Sequence, residues 1–198
     1  MRMLQRSFYE REPDIVAREL LGKILMRRVG SEILSGKIVE TEAYYGENDP
    51  ASKAYKGKKA FNVLMFLNVG KTFIYMVYGN WLLNIVAHPR GGVGAVLVRA
   101  VEPLQGLETM KKNRNVKNLH DLTSGPGKLT KALAITKELN GIDVTKKNSP
   151  LMVIKGVKES LQVCSSHRIG VKFDLPKELR FFIKGNKFVS KSFQQNCL

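Results

Sequence analysis

The turns that join the strand-like runs of this sequence are too short to connect parallel strands. Residues 23–29 and 33–44 both have strand patterns and are separated by three residues. Residues 72–78 and 81–87 form a second such pair, separated by two. Connections this short join antiparallel neighbours, whereas a parallel pair needs a dozen residues or more. The sequence therefore predicts an antiparallel sheet and disfavours a doubly wound α/β fold.

Helices are expected between the groups of strands. The first opens around Pro13 and is ended by Gly22, a pairing typical of helix starts and stops. The other predicted elements are helices at residues 103–110 and 126–135 and strands at residues 95–101, 151–154, 169–171 and 180–183. No repeat, low-complexity tract or linker divides the chain. We expect one α+β domain over residues 1–198.

The charge balance points to a polyanionic partner. Lys and Arg number 33 against 17 Asp and Glu, a formal net charge of +16. Nucleic acid is favoured, with an acidic membrane surface or a plain solvated surface as alternatives. No apolar stretch approaches the roughly 18 residues of a membrane span. The two cysteines, Cys164 and Cys197, form neither a disulfide framework nor a metal-binding spacing, which favours an intracellular, reduced protein.

The segment at residues 36–46 carries the first candidate chemistry. Alternation along a strand places Glu40, Glu42 and Tyr44 on one face together with Ile38. An edge strand with solvated or lysine-paired acids would explain this pattern. A pocket would also explain it, with one carboxylate as general base beside an aromatic stacking surface.

Two tyrosines and an arginine follow in neighbouring strands. Tyr75 and Tyr78 fall on opposite faces, and Tyr78 lies beside the predicted turn Gly79-Asn80. Both rings could simply be packed, but an aromatic side chain at a hairpin tip has the shape of a wedge between base pairs. Arg99 shares its face with apolar residues, so it either reaches solvent or pairs inside, with Glu42 or Glu40 as partners.

Basic residues cluster where nucleic-acid phosphates could be held. The two clusters lack acids; they are Lys53, Lys56, Lys58 and Lys59, then Lys111, Lys112, Arg114 and Lys117. Residues 124–129 precede a predicted helix and include Gly125, Gly127 and Lys128, which could present N–H groups and a cation to a phosphate. The glycine spacing differs from that of a nucleotide-binding loop. A solvated surface is the alternative for all of these lysines.

Nine segments, taken together and in order, are similar to one known family. They lie at residues 18–22, 36–46, 49–52, 74–79, 96–104, 106–110, 124–132, 167–171 and 179–185. The chain resembles the alkyladenine (3-methyladenine) DNA glycosylases. This resemblance implies a single mixed domain on a curved antiparallel sheet, with a protruding β-hairpin that enters the DNA minor groove.

The resemblance also implies roles for individual residues. Glu42 would activate the attacking water, and Arg99 would help to position it. Tyr44 and Tyr75 would form the base pocket and Tyr78 the DNA wedge. The remaining implied assignments are Lys53 and Asn84 in the base pocket, and Lys56, Lys58, Lys59, Gly125, Gly127 and Lys128 at DNA phosphates.

The implied activity is removal of damaged purines from duplex DNA. The substrates would be 3-methyladenine, other alkylated purines, and hypoxanthine or ethenoadenine, and the product an abasic site. A monofunctional, monomeric glycosylase of this kind needs no cofactor and no metal. Alkylation at a ring nitrogen makes the base cationic and a good leaving group, so one carboxylate suffices. It would reside inside the cell with the DNA and not on a membrane.

Two departures from the family pattern bear on the pocket. Lys53 stands where the family has a histidine, and a lysine would repel a cationic base. Tyr78 and Asn84 are one residue closer than in the family, which leaves Trp81 as another contributor to the pocket or wedge. The alternatives are a DNA-binding protein of the same fold that has lost catalysis, and an RNA-binding protein, for which no signature is present.

Overall fold

The computed structural model describes residues 2–157 and 160–190. Its strands are β1 Ile24–Val29, β2 Glu32–Tyr44, β3 Thr72–Val77, β4 Asn80–Val86, β5 Ala95–Gln105, β6 Leu151–Ile154, β7 Val163–Ser166 and β8 Arg180–Ile183. Its α-helices are α1 Arg6–Tyr9, α2 Pro13–Leu20, α3 Leu107–Arg114 and α4 Pro126–Ala132. Short 3₁₀ helices lie at Ala60–Phe66, Leu119–Asp121 and Lys137–Leu139.

All strand pairs are antiparallel and belong to one sheet. The strand order is β3-β4-β5-β2-β1-β6, and β8 pairs with both β2 and β7. The sheet curls into a half-barrel, which confirms the α+β domain with a curved antiparallel sheet. The long strand β2 is central because it pairs with β5 along one edge and with β1 and then β8 along the other.

Strand β2 separates the apolar core from a polar face. Helix α2 buries Val16 and Leu20 fully, and each burial contributes about 1.5–3 kcal/mol. The helix docks on β2, where the hydroxyl of Thr41 donates a hydrogen bond to the carbonyl of Ala17 at 2.8 Å. The register between β2 and β5 shifts on both sides of Glu40. These bulges bend the strand next to the candidate acids.

The hairpin β3–β4 turns one residue earlier than predicted. Its connecting residues are Tyr78-Gly79, because Asn80 already pairs with Val77. Tyr78 and Gly79 have φ values of 46° and 74°, the positive pair that a type I′ turn requires. The Asn80 side chain donates to the Tyr78 carbonyl at 2.9 Å. The turn thereby presents Tyr78 at the very tip.

The region around residues 103–110 also differs from the prediction. The helix expected at residues 103–110 is wrong in its first half, because β5 continues to Gln105 and α3 begins only after Gly106. Gly106 has φ 79°, and a Cβ there would lie 2.3 Å from a methyl carbon of Leu34. The chain can therefore reverse there only with glycine.

In the C-terminal third, the strand expected at residues 169–171 is wrong, because residues 169–170 form a turn. The sequence did not predict β7, whose residues are Val-Cys-Ser-Ser. Cys164 on β7 is buried. Cys197 lies outside the described residues. In the same described ranges, the helices are all too short or too polar to traverse a bilayer.

Candidate active site

Glu42 is fully buried and held by three partners. Its Oε1 accepts a hydrogen bond from the backbone N–H of Ile169 at 2.8 Å and lies 3.1 Å from Nη1 of Arg99. Its Oε2 accepts from the Tyr44 hydroxyl at 2.8 Å. Strand β2 supplies both Glu42 and Tyr44, which confirms that alternation places them on one face. These three contacts fix the orientation of the carboxylate. Among the described residues, Oε2 accepts one hydrogen bond, from Tyr44.

Arg99 joins the two acids of β2. Its Nε donates to Oε1 of Glu40 at 2.8 Å, while Nη1 faces Glu42. Of the two alternatives for Arg99, solvent exposure or internal pairing, the structure shows internal pairing, with both candidate partners at once. Burial alone would lower the pKa of Arg99, but Glu42 and Glu40 raise it above its usual value. The guanidinium is thus a permanent cation between two carboxylates.

A second buried arginine, Arg180 on β8, completes this network. Its Nε donates to Oε1 of Glu40 at 2.7 Å, and its side chain is fully buried. Ser190 adds its backbone N–H to Oε2 of Glu40 at 2.7 Å. Burial would raise the pKa of Glu40, but Arg99 and Arg180 outweigh it, so the pKa is lowered. Four charges, two of each sign, balance within the cluster.

Sequence reasoning gave Arg180 and Ser190 no role. Arg180 precedes Phe181 and Phe182 in a strongly apolar strand. A charged residue in such an apolar strand could have indicated a buried ion pair, because burial of an arginine requires a partner. Nothing in the sequence around Ser190 indicates that its backbone reaches Glu40.

Tyr44 and Tyr75 form aromatic walls beside this network. Burial, and then the charge of Glu42, raises the pKa of Tyr44 well above its usual value. The same two causes raise the pKa of Tyr75 to about 12. Both phenols therefore stay protonated near neutral pH and can donate hydrogen bonds.

Arg168 lies against one of these walls and was missed as a functional residue. Its guanidinium carbon is 4.6 Å from the centre of the Tyr44 ring. The same group binds Asp49 through two nitrogens, at 2.6 and 2.7 Å, and also binds Asp174. The sequence segment at residues 167–171 indicated that this region matters. Only the fold shows that Arg168 joins it to Asp49.

A cavity of about 370 Å³ opens in front of these groups. This volume lies in the range of about 300–1,000 Å³ usual for small-molecule sites. Six of the residues predicted for the site line it, namely Tyr44, Lys53, Tyr75, Tyr78, Arg99 and Gly127. Tyr78 stands at its edge with 98% of its surface exposed. Glu42 lies directly behind the lining formed by Tyr44, Arg99 and Ile169.

Asn84 is placed behind the aromatic wall and not on the lining of this cavity. It is buried, and its Nδ2 donates to the Phe73 carbonyl at 3.1 Å. A hydrogen bond also links it to Tyr75. Trp81 is absent from the cavity lining too, and its carbonyl accepts from Thr130 on α4 at 2.7 Å. In this geometry Asn84 supports Tyr75 from behind.

The first lysine cluster lies on one short loop. Lys53 reaches the cavity, with Nζ 5.1 Å from the centre of the Tyr75 ring. Lys56, Lys58 and Lys59 are exposed beside it. The fully buried Asn62, which the sequence did not single out, closes this loop. Its Nδ2 donates to the carbonyls of Lys53 and Gly57 at 2.8 and 3.0 Å.

The glycine-rich segment borders the cavity on another side. Gly127 packs against Asn80 of the hairpin, where a Cβ would approach to 2.8 Å. Gly125 has φ 143° and precedes α4. Lys128 is half-buried, and its Nζ lies 3.4 Å from Oδ1 of Asp121. The segment thus connects the hairpin to α4 through close backbone packing.

Comparison with known proteins agrees with this arrangement. The family model for methylpurine-DNA glycosylase (MPG) matches residues 7–187. The chain belongs to the methylpurine-DNA glycosylase family. The resemblance drawn from the sequence segments is thereby confirmed.

Relatives of the methylpurine-DNA glycosylase family align along nearly the full chain. A protein of Koribacter versatilis named as a 3-methyladenine DNA glycosylase is 41% identical, covering 94% of this chain and 92% of its own. Proteins of the same name from Aeropyrum pernix and Carboxydothermus hydrogenoformans are 41% and 43% identical. Each covers 96% of this chain, and the alignments span 94% and 99% of the relatives. All the candidate site residues described above except Ser190 lie within the family match.

Proposed function

We propose that this chain is a DNA repair glycosylase that flips a damaged purine out of duplex DNA and hydrolyses its bond to deoxyribose. The observation that carries the proposal is Glu42, a buried carboxylate oriented by Tyr44, Arg99 and Ile169 behind an aromatic cavity. Family membership supports the same reaction class. The base, the water and the sugar would meet at this carboxylate.

Glu42 is the proposed general base. A carboxylate has about four lone-pair sites, and the three partners use two on Oε1 and one on Oε2. One site on Oε2 is then available for a water molecule. As that water attacks C1′ of the sugar, its proton passes to Glu42, and the C1′–N bond breaks with its electron pair leaving on the base. The products are a free base and an abasic site.

Arg99 is proposed to position the water together with Glu42. Glu40 holds Arg99 from the other side, at 2.8 Å. Arg180 fixes Glu40 in turn, at 2.7 Å. Because each charge in this network of side chains has a buried partner, the donors are preorganised and need no reorganisation during the reaction. Arg180 and Glu40 are positioning residues in this scheme.

The aromatic residues are proposed to hold the flipped nucleotide. A base inside a duplex cannot reach a buried carboxylate and must leave the stack. Tyr78, exposed at the hairpin tip, would fill the vacated space. Tyr44 and Tyr75 would stack on the base, with Asn84 behind Tyr75. Stacking on an aromatic side chain contributes about 1–3 kcal/mol for each base.

Double-stranded DNA is the proposed partner. The net charge of +16 suits a polyanion, and Lys56, Lys58, Lys59 and Lys128, with the N–H groups of Gly125 and Gly127, are proposed to hold phosphates near the cavity. A monomer suffices, since one chain supplies every group in the scheme. The protein would work wherever the DNA is held, inside the cell. No cofactor or metal enters the proposed steps.

The experiment uses duplexes carrying 3-methyladenine, 7-methylguanine or hypoxanthine. We expect free base to be released while the strand stays intact until alkali cleaves the abasic site. Borohydride should trap no protein–DNA adduct, because a monofunctional enzyme forms no Schiff base. Tight binding of all three duplexes without release of any base would support the alternative, a binding protein of this fold.

A further inference from the structure

Both aromatic walls of the cavity already carry a cation of the protein itself. Arg168 lies 4.6 Å from the centre of the Tyr44 ring, and Nζ of Lys53 lies 5.1 Å from the centre of the Tyr75 ring. Distances within about 6 Å allow cation–π attraction. Arg168 is buried and does not line the cavity, whereas Lys53 does. A cationic base that enters the cavity therefore competes with the Lys53 ammonium group for the Tyr75 ring.

The charges on these two rings are balanced differently. Arg168 binds the carboxylates of Asp49 and Asp174, so its charge is compensated. Arg99, which also lines the cavity, is compensated by Glu40 and Glu42. Lys53 has no carboxylate within ion-pair distance in the described ranges 2–157 and 160–190. Its ammonium group is the uncompensated cation of this cavity.

The position of Lys53 is defined by the fold. Its carbonyl accepts from the buried Asn62, and the next residue, Ala54, donates to the side chain of Ser52 at 3.0 Å. Its side chain lines the cavity together with Tyr75 and Arg99. The backbone of Lys53 is thus fixed at the mouth, and its exposed side chain extends over the Tyr75 ring, where a purine between the two tyrosines would meet the ammonium group.

We propose that Lys53 is a specificity-determining residue that makes this cavity prefer electroneutral, acceptor-bearing purines, such as deaminated bases, over purines made cationic by alkylation. The inference rests on the proposed glycosylase function. An uncompensated cation in a partly closed cavity repels a second cation. The same ammonium group can donate to the carbonyl or ring-nitrogen acceptors of a neutral purine.

This donor also has a use in the reaction. A cationic base leaves as a neutral molecule, whereas a neutral base gains negative charge as the C1′–N bond breaks. Glycoside hydrolysis of such a neutral substrate requires an acid as well as a base. Lys53 can donate a hydrogen bond to the departing base while Glu42 accepts the water proton. Neutral purines therefore gain from Lys53 during bond cleavage, and cationic purines do not.

The experiment compares single-turnover release of hypoxanthine and 7-methylguanine placed at the same position of one duplex. Lys53→Met removes the charge and keeps the length of the side chain. We expect it to raise the ratio of 7-methylguanine release to hypoxanthine release by about tenfold. Lys53→Arg keeps the charge and should leave the ratio within about threefold of the parent.

Lys56→Met is the matched control, because it removes a neighbouring lysine charge that does not line the cavity. It should slow both releases alike. A parallel fall of both rates in Lys53→Met, without a change of ratio, would mean that Lys53 only holds a phosphate and would overturn the inference. No release from any lesion by the parent would instead overturn the proposed function itself. Equal thermal unfolding of parent and variants establishes that the fold is unchanged.

Discussion

The hydroxyl of Tyr44 donates a hydrogen bond to Oε2 of Glu42 across 2.8 Å, so a ring of the cavity wall also orients the buried carboxylate. The raised pKa of Tyr44 keeps this donor protonated. In the proposed mechanism, base stacking and water activation are therefore coupled through one side chain.

Replacing this tyrosine should separate the two roles. Tyr44→Phe keeps the ring and removes the donor, and a hydrogen bond to a charged group contributes about 1.5–3 kcal/mol. We expect the single-turnover rate of base release to fall roughly tenfold or more, with little change in affinity for lesion DNA. Tyr44→Leu should reduce both rate and affinity. An equal loss of affinity in both variants would contradict this division.

The buried pair of Glu40 and Arg180 should show strong energetic coupling. Arg180→Met leaves Glu40 with one arginine fewer, and breaking a buried ion pair costs about 3–5 kcal/mol. Glu40→Gln alone leaves Arg180 without its charged partner. The double variant should recover part of the loss, measured as the free energy of unfolding in urea. Strictly additive losses would show that the two side chains do not depend on each other.

Acid should weaken the fold through Glu40. Its folded-state pKa is lowered from the ordinary value of 4.5, so its contribution is fully present above that value. As pH falls from there through the lowered folded pKa, the unfolded state takes up a proton that the native state binds poorly, and stability is lost. Glu40→Gln should flatten this acid limb in urea midpoints measured from pH 3 to 7. An unchanged slope would contradict the assignment.

Tyr78 should matter for duplex DNA and hardly for the fold. Because 98% of its surface is exposed, Tyr78→Ala should change the free energy of unfolding by less than about 0.5 kcal/mol. Release of a base from a duplex should fall strongly, whereas release from a single strand, which has no stack to fill, should not. Met76→Ala, also exposed on the hairpin, serves as the control. Equal loss on both substrates would argue against a wedge.

The sequence predicts those parts of the site that depend on local pattern. Alternation along β2 places Glu42 and Tyr44 on one face, and short turns predict the antiparallel sheet. The partners from distant segments were not predictable in this way. Arg180 reaches Glu40 across 140 positions, and Arg168 reaches Asp49 across 119. Such contacts depend on how the sheet curls, and this is set by bulges and packing rather than by any local period.

The hairpin error has a local physical cause. Gly79-Asn80 has the composition of a turn, but the pairing of Val77 with Asn80 moves the turn back to Tyr78-Gly79. Tyrosine is rarely found at positive φ, so composition alone would not choose it. In this register, Asn80 of the hairpin packs closely against Gly127 of α4. Tertiary packing therefore outweighs the local preference at the tip.

The most direct test of the account is the rate of base release by Glu42→Gln. The substitution keeps the size of the side chain and removes its ability to accept the proton of water. We predict that lesion-containing duplex DNA binds as before, while single-turnover release falls by a factor of about 10²–10⁴, the usual contribution of general base catalysis. Release at the parental rate would contradict the assignment of Glu42 as the base.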